Sequence, residues 1–342
     1  MKKQKFQQIQ AASISPAKVI LSGEYSILYG ASALAMAIAS YLKTSVKIIN
    51  VPTIRILQEK SMEYSIEECR MIAQRIDQKY NAFLDGHLPI TDVLSHSDDL
   101  ILYILNRHFH NYSSQGISLN IHSAIPIGSG FGSSSAIISA LSLVLRKIMG
   151  KPFDGKKEFI ADTIYIERLQ HGKSGLIDST TIIEGGIVYI KPSITIKQDK
   201  IIGKWWAVDT GRPESSTGEC VAFVDKHFSK SNIWSEFNAV TDAMVENIQD
   251  ENREKIGQTI RTNHLLLQSL DIVPSSISQL IRSIEERGGS AKISGAGSIR
   301  GESAGLVLVY DYNPQECASF YGYTCYPIQG EKNGTRLTED SC

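Results

Sequence analysis

The sequence predicts an α+β protein of two lobes with a cleft between them, and three observations carry that prediction. The 342 residues exceed the roughly 150 over which one domain is usually built, and a composition that is 42% hydrophobic suffices for at least one full core. Segments patterned as strands and segments patterned as helices occur in both halves of the chain. A polar stretch at 191–204, containing Pro192, lies between the halves, and the division is placed after residue 195, giving units of 1–195 and 196–342.

Along the first unit, residues 17–28 combine β-branched and apolar residues interrupted by Gly23, the pattern of a strand, a turn and a second short segment. Residues 41–52, rich in Val, Ile and Thr, read as another strand, and 66–84 and 100–111 have helical apolar spacing. At 116–121 the chain alternates cleanly, with Ile117, Leu119 and Ile121 on one face and Ser118 and Asn120 on the other, which is a half-buried strand. Over 135–149 the apolar residues Ile137, Ile138, Leu141, Val144, Leu145 and Ile148 surround most of a helix, so that helix is expected to be buried, and Gly150-Lys151-Pro152 ends it. A helix over 157–170 leads into His171-Gly172, and Gly185-Gly186 precedes a strand at 187–190. The second unit reads as a strand at 205–209, helices at 214–228, 233–249 and 253–270, and a strand-like end at 304–310.

Charge and composition restrict the function. Lys plus Arg number 35 against 36 Asp plus Glu, and no block of like charge occurs, which argues against an extended surface for nucleic acid or anionic lipid. Any anionic ligand must therefore be held locally. Residues 1–10 are basic and polar but no apolar stretch of signal-peptide length follows them. The apolar runs at 33–39 and 136–145 fall short of the roughly 20 residues that a membrane-spanning helix needs. A soluble cytoplasmic protein is expected. The five cysteines, Cys69, Cys220, Cys317, Cys325 and Cys342, form no CxxC pair, so neither a disulfide framework nor a structural zinc site is expected.

The segment Pro126-Ile127-Gly128-Ser129-Gly130-Phe131-Gly132-Ser133-Ser134-Ser135 follows a strand and opens a buried helix. That arrangement aims backbone N–H groups and a helix dipole at one point, where a phosphate fits. Its glycines allow close backbone approach, and its serines can cap the helix or offer a hydroxyl to Mg²⁺. It is not a Walker A loop, because no Gly-Lys-Ser/Thr follows, nor a dinucleotide fingerprint, because Ser133 stands where the last glycine should. On these residues alone, a glycine turn with an ordinary serine cap remains the competing reading.

Other segments join this loop in a recognisable set. The run Ala17-Lys18-Val19-Ile20-Leu21-Ser22-Gly23-Glu24-Tyr25-Ser26-Ile27-Leu28-Tyr29-Gly30 resembles the first motif of the GHMP kinases, the glycine loop resembles the second, and Lys292-Ile293-Ser294-Gly295-Ala296-Gly297 resembles the start of the third. Within that family the mevalonate kinase branch is the most similar. Glu167-Arg168-x-x-His171-Gly172, Asp178, Gly185-Gly186, the run Asp209-Thr210-Gly211 with Ser215-Ser216-Thr217, and Asn263-His264-Leu265-Leu266 all resemble its pattern. Three places depart from it. Gly23-Glu24-Tyr25 replaces Gly-Glu-His and is similar to phosphomevalonate kinases. Lys173-Ser174-Gly175-Leu176-Ile177-Asp178 has the spacing of galactokinases, and Ser298-Ile299-Arg300-Gly301-Glu302 does not continue the third motif in glycines.

The resemblance implies the two-domain GHMP kinase fold, with an N-terminal domain like ribosomal protein S5 domain 2 and a ferredoxin-like C-terminal domain. It implies ATP and Mg²⁺ as cofactors, with phosphates on Pro126, Gly128, Ser129, Gly130, Phe131, Gly132, Ser133, Ser134, Ser135, Gly295, Ala296 and Gly297. Ser134 and Glu167 become the metal ligands and Asp178 the catalytic base with Lys18 beside it. Lys18, Glu24, Tyr25 and Asp178 line the substrate. The implied partner is a small molecule, mevalonate or a related alcohol, with neither nucleic acid nor membrane, and a homodimer is the assembly considered. Phosphomevalonate, a sugar, or ligand binding without catalysis stay open as alternatives. Lys173 and Arg212 are the basic residues that a substrate phosphate would require.

Overall fold

The computed structural model describes residues 10–58, 61–109, 115–126, 128–172 and 175–339. Ile127, Lys173, Ser174 and Cys342 therefore lie outside the described residues.

In chain order the elements are β1 (Gln10–Ser22), β2 (Ala33–Ile49), β3 (Thr53–Leu57), β4 (Met62–Ser65), α1 (Ile66–Leu84), α2 (Asp99–His108), β5 (Gly116–Ser123), α3 (Ser133–Ile148), α4 (Gly155–His171), α5 (Leu176–Glu184), β6 (Ile187–Lys191) and β7 (Ile194–Gln198). They continue as β8 (Trp205–Asp209), α6 (Thr217–Phe228), α7 (Ile233–Gln249), α8 (Arg253–Ser269), α9 (Ser275–Glu285), β9 (Ser290–Ser294), β10 (Leu306–Tyr310), α10 (Gln315–Phe320), β11 (Thr324–Ile328) and β12 (Arg336–Thr338). Two mixed layers result. The first sheet runs β12-β1-β2-β5-β3-β4, with β6 and β7 added at the start of β2, and the second runs β11-β8-β10-β9. Among the described residues only β3 and β5 pair in parallel.

Local chemistry explains several boundaries. Helix α1 starts where the Ser65 hydroxyl accepts from the Glu68 N–H and the Glu68 carboxylate accepts from the Ser65 N–H, a capping box, and Ser216 with Glu219 repeats it at α6. Helix α3 opens on Gly132, which has φ 74°. As its periodicity predicts, α3 is buried around most of its circumference. The polar stretch at 191–204 is not a plain linker, because it contains β7, which pairs antiparallel with β6. The two isoleucines of β7 lie on the surface, Ile194 and Ile196 each being 49% exposed, so the segment carries no signal of a buried strand.

The core explains why β10 reads as an unbroken apolar run. In β10, Leu306, Leu308 and Tyr310 face a cluster shared with Val19, Leu21, Met36 and Ala136 of the first sheet and its helix, while Val307 and Val309 face a cluster with Val224, Phe237 and Ile281. Both faces of β10 are covered, so alternation gives way to a continuous hydrophobic segment. The first of these clusters is common to both sheets and fixes one against the other. A separate cluster, including Ile54, Ile76, Leu102, Leu119 and Leu141, fills the space between the far end of the first sheet and α1 to α4.

After β11 the chain leaves the second sheet and crosses back to the first. The Ala39 N–H donates to the Gln329 carbonyl at 2.8 Å, Glu331 N–H to Ala37 at 2.8 Å, Gly186 N–H to Glu331 at 2.7 Å, and Thr335 N–H to Ile182 at 2.9 Å. The strap ends as β12, which pairs Ala12 with Thr338 and Ile14 with Arg336. Among the described residues no helix is long and apolar enough to cross a membrane.

Candidate active site

Strand β1 has β2 along one edge, and over residues 18–20 both glycine loops dock on the other. The Lys18 N–H donates to the Phe131 carbonyl at 3.0 Å, and the Ile20 N–H donates to Ser294 Oγ at 2.8 Å. The loops also meet each other. A Cβ added to Gly130 would stand 2.9 Å from the Ser294 carbonyl oxygen, and one added to Gly295 would stand 3.9 Å from Gly130 Cα. Gly128, Gly130 and Gly132 have φ of 78°, 86° and 74°, alternating with residues of ordinary φ. This alternation is the backbone pattern of an anion-binding nest, and here it runs straight into the N-terminus of α3.

The charged groups converge beside that loop. Lys18 Nζ lies 2.8 Å from Asp178 Oδ1, with the lysine side chain 3% exposed and the aspartate 31%. The lysine stem packs against Gly132, where a Cβ would come within 3.0 Å of its Cγ and Cε. Asp178 sits in the first turn of α5, where the helix dipole favours a carboxylate. It is the member of the pair open to an incoming molecule.

Glu167 projects from α4 and is 3% exposed. Its carboxylate accepts from the Ser134 hydroxyl at 3.1 Å, from the Ser135 hydroxyl, and from the Ser179 hydroxyl at 3.0 Å. Burial raises its pKa, as does the neighbouring Asp178 charge, while His171 and the serine hydroxyls oppose the rise. A buried carboxyl held by three hydroxyls next to a second carboxylate is a place where a cation lowers the energy.

Glu24 and Tyr25 lie elsewhere. In the turn after β1 the Glu24 carboxylate pairs with the Lys292 ammonium, and both side chains are buried. Burial pushes Glu24 up and Lys292 down, and each partner opposes the shift of the other. The Tyr25 hydroxyl donates to the Ala296 carbonyl at 2.5 Å; the ring is 1% exposed, and burial followed by Cys220 holds its pKa well above the ordinary tyrosine value. Tyr25 thus bonds directly to the 295–297 loop, and Glu24 holds the strand that leads into it. The side chains of Lys18, Glu24 and Glu167 are all buried.

The remaining loop residues are arranged around the nest. Ser129 and Phe131 are buried, Gly128 and Gly130 are exposed, and Pro126, Ser133 and Ser134 are half-buried. Phe131 stacks on Tyr326 at a centroid distance of 6.2 Å. Gly297, with φ 66°, has no room for a side chain, since a Cβ would stand 2.2 Å from the Ile272 carbonyl oxygen. Arg212 is exposed.

Sequence reasoning gave no role to Ser179, Lys292, Ser294 or His264 in this neighbourhood, although the last three stand within the motifs quoted. His264, on α8, is 3% exposed, and burial together with the Lys292 charge pushes its pKa down to about 4. A usable signal existed for Lys292, because a lone lysine inside the small and apolar strand Ser290–Ser294 requires a buried counter-ion.

The chain is similar to known proteins in sequence and in fold. The family model described as the GHMP kinases N terminal domain matches residues 99–186. The mevalonate kinase of Pyrococcus furiosus is 28% identical over 299 residues, covering 83% of this chain and 85% of that protein. The mevalonate kinase of Methanocaldococcus jannaschii is 28% identical over 319 residues, covering 88% and 93%. A crystal structure of a mevalonate kinase matches with a TM-score of 0.76 at 23% identity, covering 94% of this chain and 99% of that one, a likeness of fold.

Proposed function

We infer that this chain, a member of the GHMP kinase superfamily, uses ATP to phosphorylate the hydroxyl of mevalonate, giving phosphomevalonate and ADP. The observation that carries the chemistry is the 2.8 Å pair of a buried Lys18 and a part-exposed Asp178, beside a loop whose three left-handed glycines lead into α3. Phosphoryl transfer demands positioning and charge neutralisation more than covalent help from the protein. The acceptor hydroxyl approaches Asp178, which takes its proton as the oxygen bonds to the γ-phosphorus and the bond to the ADP oxygen breaks. Lys18 keeps Asp178 ionised and stabilises charge on the transferring group. The phosphates rest on 128–135 and 295–297.

The donor set near the loop fits Mg²⁺. A serine hydroxyl and a carboxylate are hard oxygen ligands, and Mg²⁺ is usually held by one or two carboxylates with substrate phosphates completing its shell. Ser134 and Glu167 would hold the ion, with Asp178 alongside. Bound there, Mg²⁺ supplies charge neutralisation across the phosphate oxygens. The reading requires only nucleotide and a small alcohol as partners and suits a cytoplasmic enzyme of isoprenoid precursor synthesis.

Formation of ADP from Mg-ATP in the presence of mevalonate, phosphomevalonate or galactose tests this reading. Turnover with mevalonate is expected. Turnover with phosphomevalonate alone would transfer the assignment to that acceptor, and turnover with none would end the kinase reading.

A further inference from the structure

Ile20 lies at an irregularity in the β1–β2 register, between the pairs Ile20 with Ala35 and Ser22 with Leu34. Its backbone is held there by side chains of the second sheet. The N–H donates to Ser294 Oγ at 2.8 Å, and the carbonyl accepts from Lys292 Nζ at 3.2 Å. Lys292 and Ser294 alternate along β9, so both leave the same face of that strand. Lys292 is fully buried and Ser294 is 2% exposed.

The lysine ammonium has three protons and three partners: the Ile20 carbonyl, the Ile293 carbonyl at 2.7 Å, and the Glu24 carboxylate. A well-packed apolar pair of similar volume is often as stable as a buried ion pair. Stability alone therefore does not account for an ammonium at this position. What it supplies is directed bonds into β1, into the turn after β1, and within β9. Two residues before Ile20 stands Lys18, and one residue after Ser294 begins the second glycine loop.

We propose that Lys292 and Ser294 are positioning residues for phosphoryl transfer, which lock the Ile20 backbone to β9 and so set the Lys18–Asp178 pair against the two glycine loops. Neither touches the reacting atoms. They act through the backbone of β1, and Glu24 acts as the counter-ion that keeps Lys292 charged. The proposal rests on the kinase reading above.

The test compares the full-length Ser294→Ala and Ser294→Thr variants with the parent protein, in steady-state kinetics with mevalonate and in calorimetric titration with Mg-ATP. Because small misplacements near reacting groups carry large rate penalties, Ser294→Ala is expected to lower kcat about tenfold and to weaken ATP binding, with the KM for mevalonate unchanged. Ser294→Thr keeps the hydroxyl and is expected to recover most of both. Parental kcat and ATP affinity in Ser294→Ala would overturn the proposal. Equal losses in both variants would also overturn it, since the position would then answer to packing and not to the hydroxyl.

Lys292→Met leaves Glu24 as an unpaired buried anion and can fail to fold, so Lys292 is tested in the charge-neutral double variant Glu24→Gln/Lys292→Met. A reduced kcat with unchanged KM for mevalonate is expected, and a parental kcat would remove Lys292 from the role. A parent protein that binds Mg-ATP but does not turn over mevalonate would defeat the acceptor assignment alone, because the ATP-affinity comparison still decides the role of Ser294.

Discussion

At the scale of single residues, the proposed mechanism divides the labour between two carboxylates in different surroundings. Asp178 is part-exposed and paired with Lys18; Glu167 is buried and pushed upward in pKa. Asp178→Asn should therefore lower kcat by about 10²- to 10⁴-fold, the usual range for loss of general base catalysis, with ATP binding retained. Steady-state kinetics beside a nucleotide titration checks both halves of that expectation. His264 predicts a pH effect on stability. Its pKa falls from the ordinary 6.5 to about 4 on folding, so below pH 6.5 the unfolded chain takes up a proton that the native protein refuses. The contribution is complete above pH 6.5 and is lost as pH falls, reaching about 3 kcal/mol near pH 4. His264→Gln should flatten this part of the profile, read from urea midpoints between neutral pH and the acid range; an unchanged profile would assign the acid sensitivity to other groups.

At the scale of elements, glycine geometry yields a graded prediction. Gly128 and Gly130 share left-handed φ, but a Cβ on Gly128 meets nothing within 4 Å whereas one on Gly130 collides with the Ser294 carbonyl. Both alanine variants incur the backbone cost of about 1 kcal/mol. Gly130→Ala should additionally separate the two loops and raise the KM for ATP well beyond the Gly128→Ala value, and equal effects would show that the loops do not need to touch. Much of this element level was legible in the sequence. The glycine loop, the helices at 66–84 and 233–249 and the alternating strand at 116–121 each announce themselves through local pattern. Part of what stayed hidden was set by partners distant in the chain. Strand β12, three residues long, is defined by pairing with β1, and β7 carries its isoleucines on an exposed surface. Likewise the first motif shows Lys18 and Glu24 close together in sequence; the resemblance already implied Asp178 beside Lys18, but only the fold sends Glu24 to Lys292.

At the scale of the whole molecule, the strap at 329–338 ties the second sheet to the helix that carries Asp178. Gly334 packs against the end of α5, where a Cβ would stand 2.0 Å from the Ile183 carbonyl oxygen, and the Thr335 N–H bonds to Ile182. Gly334→Val should therefore cost about 1–3 kcal/mol by overpacking and lower kcat by shifting α5. Thermal unfolding and kinetics on the same sample check it, and a loss of stability with parental kcat would detach the strap from the chemistry. The pairing of Ala12 with Thr338 also has a meaning in time. Every other named element lies between β1 and β12 in the chain, so during synthesis this sheet edge stays bare while all of them are made. Contacts so far apart in sequence close slowly, and unpaired edges invite association between chains. The step that completes the sheet is thereby postponed until β12 has been made, and in this interval the open edge of β1 is exposed to misassembly.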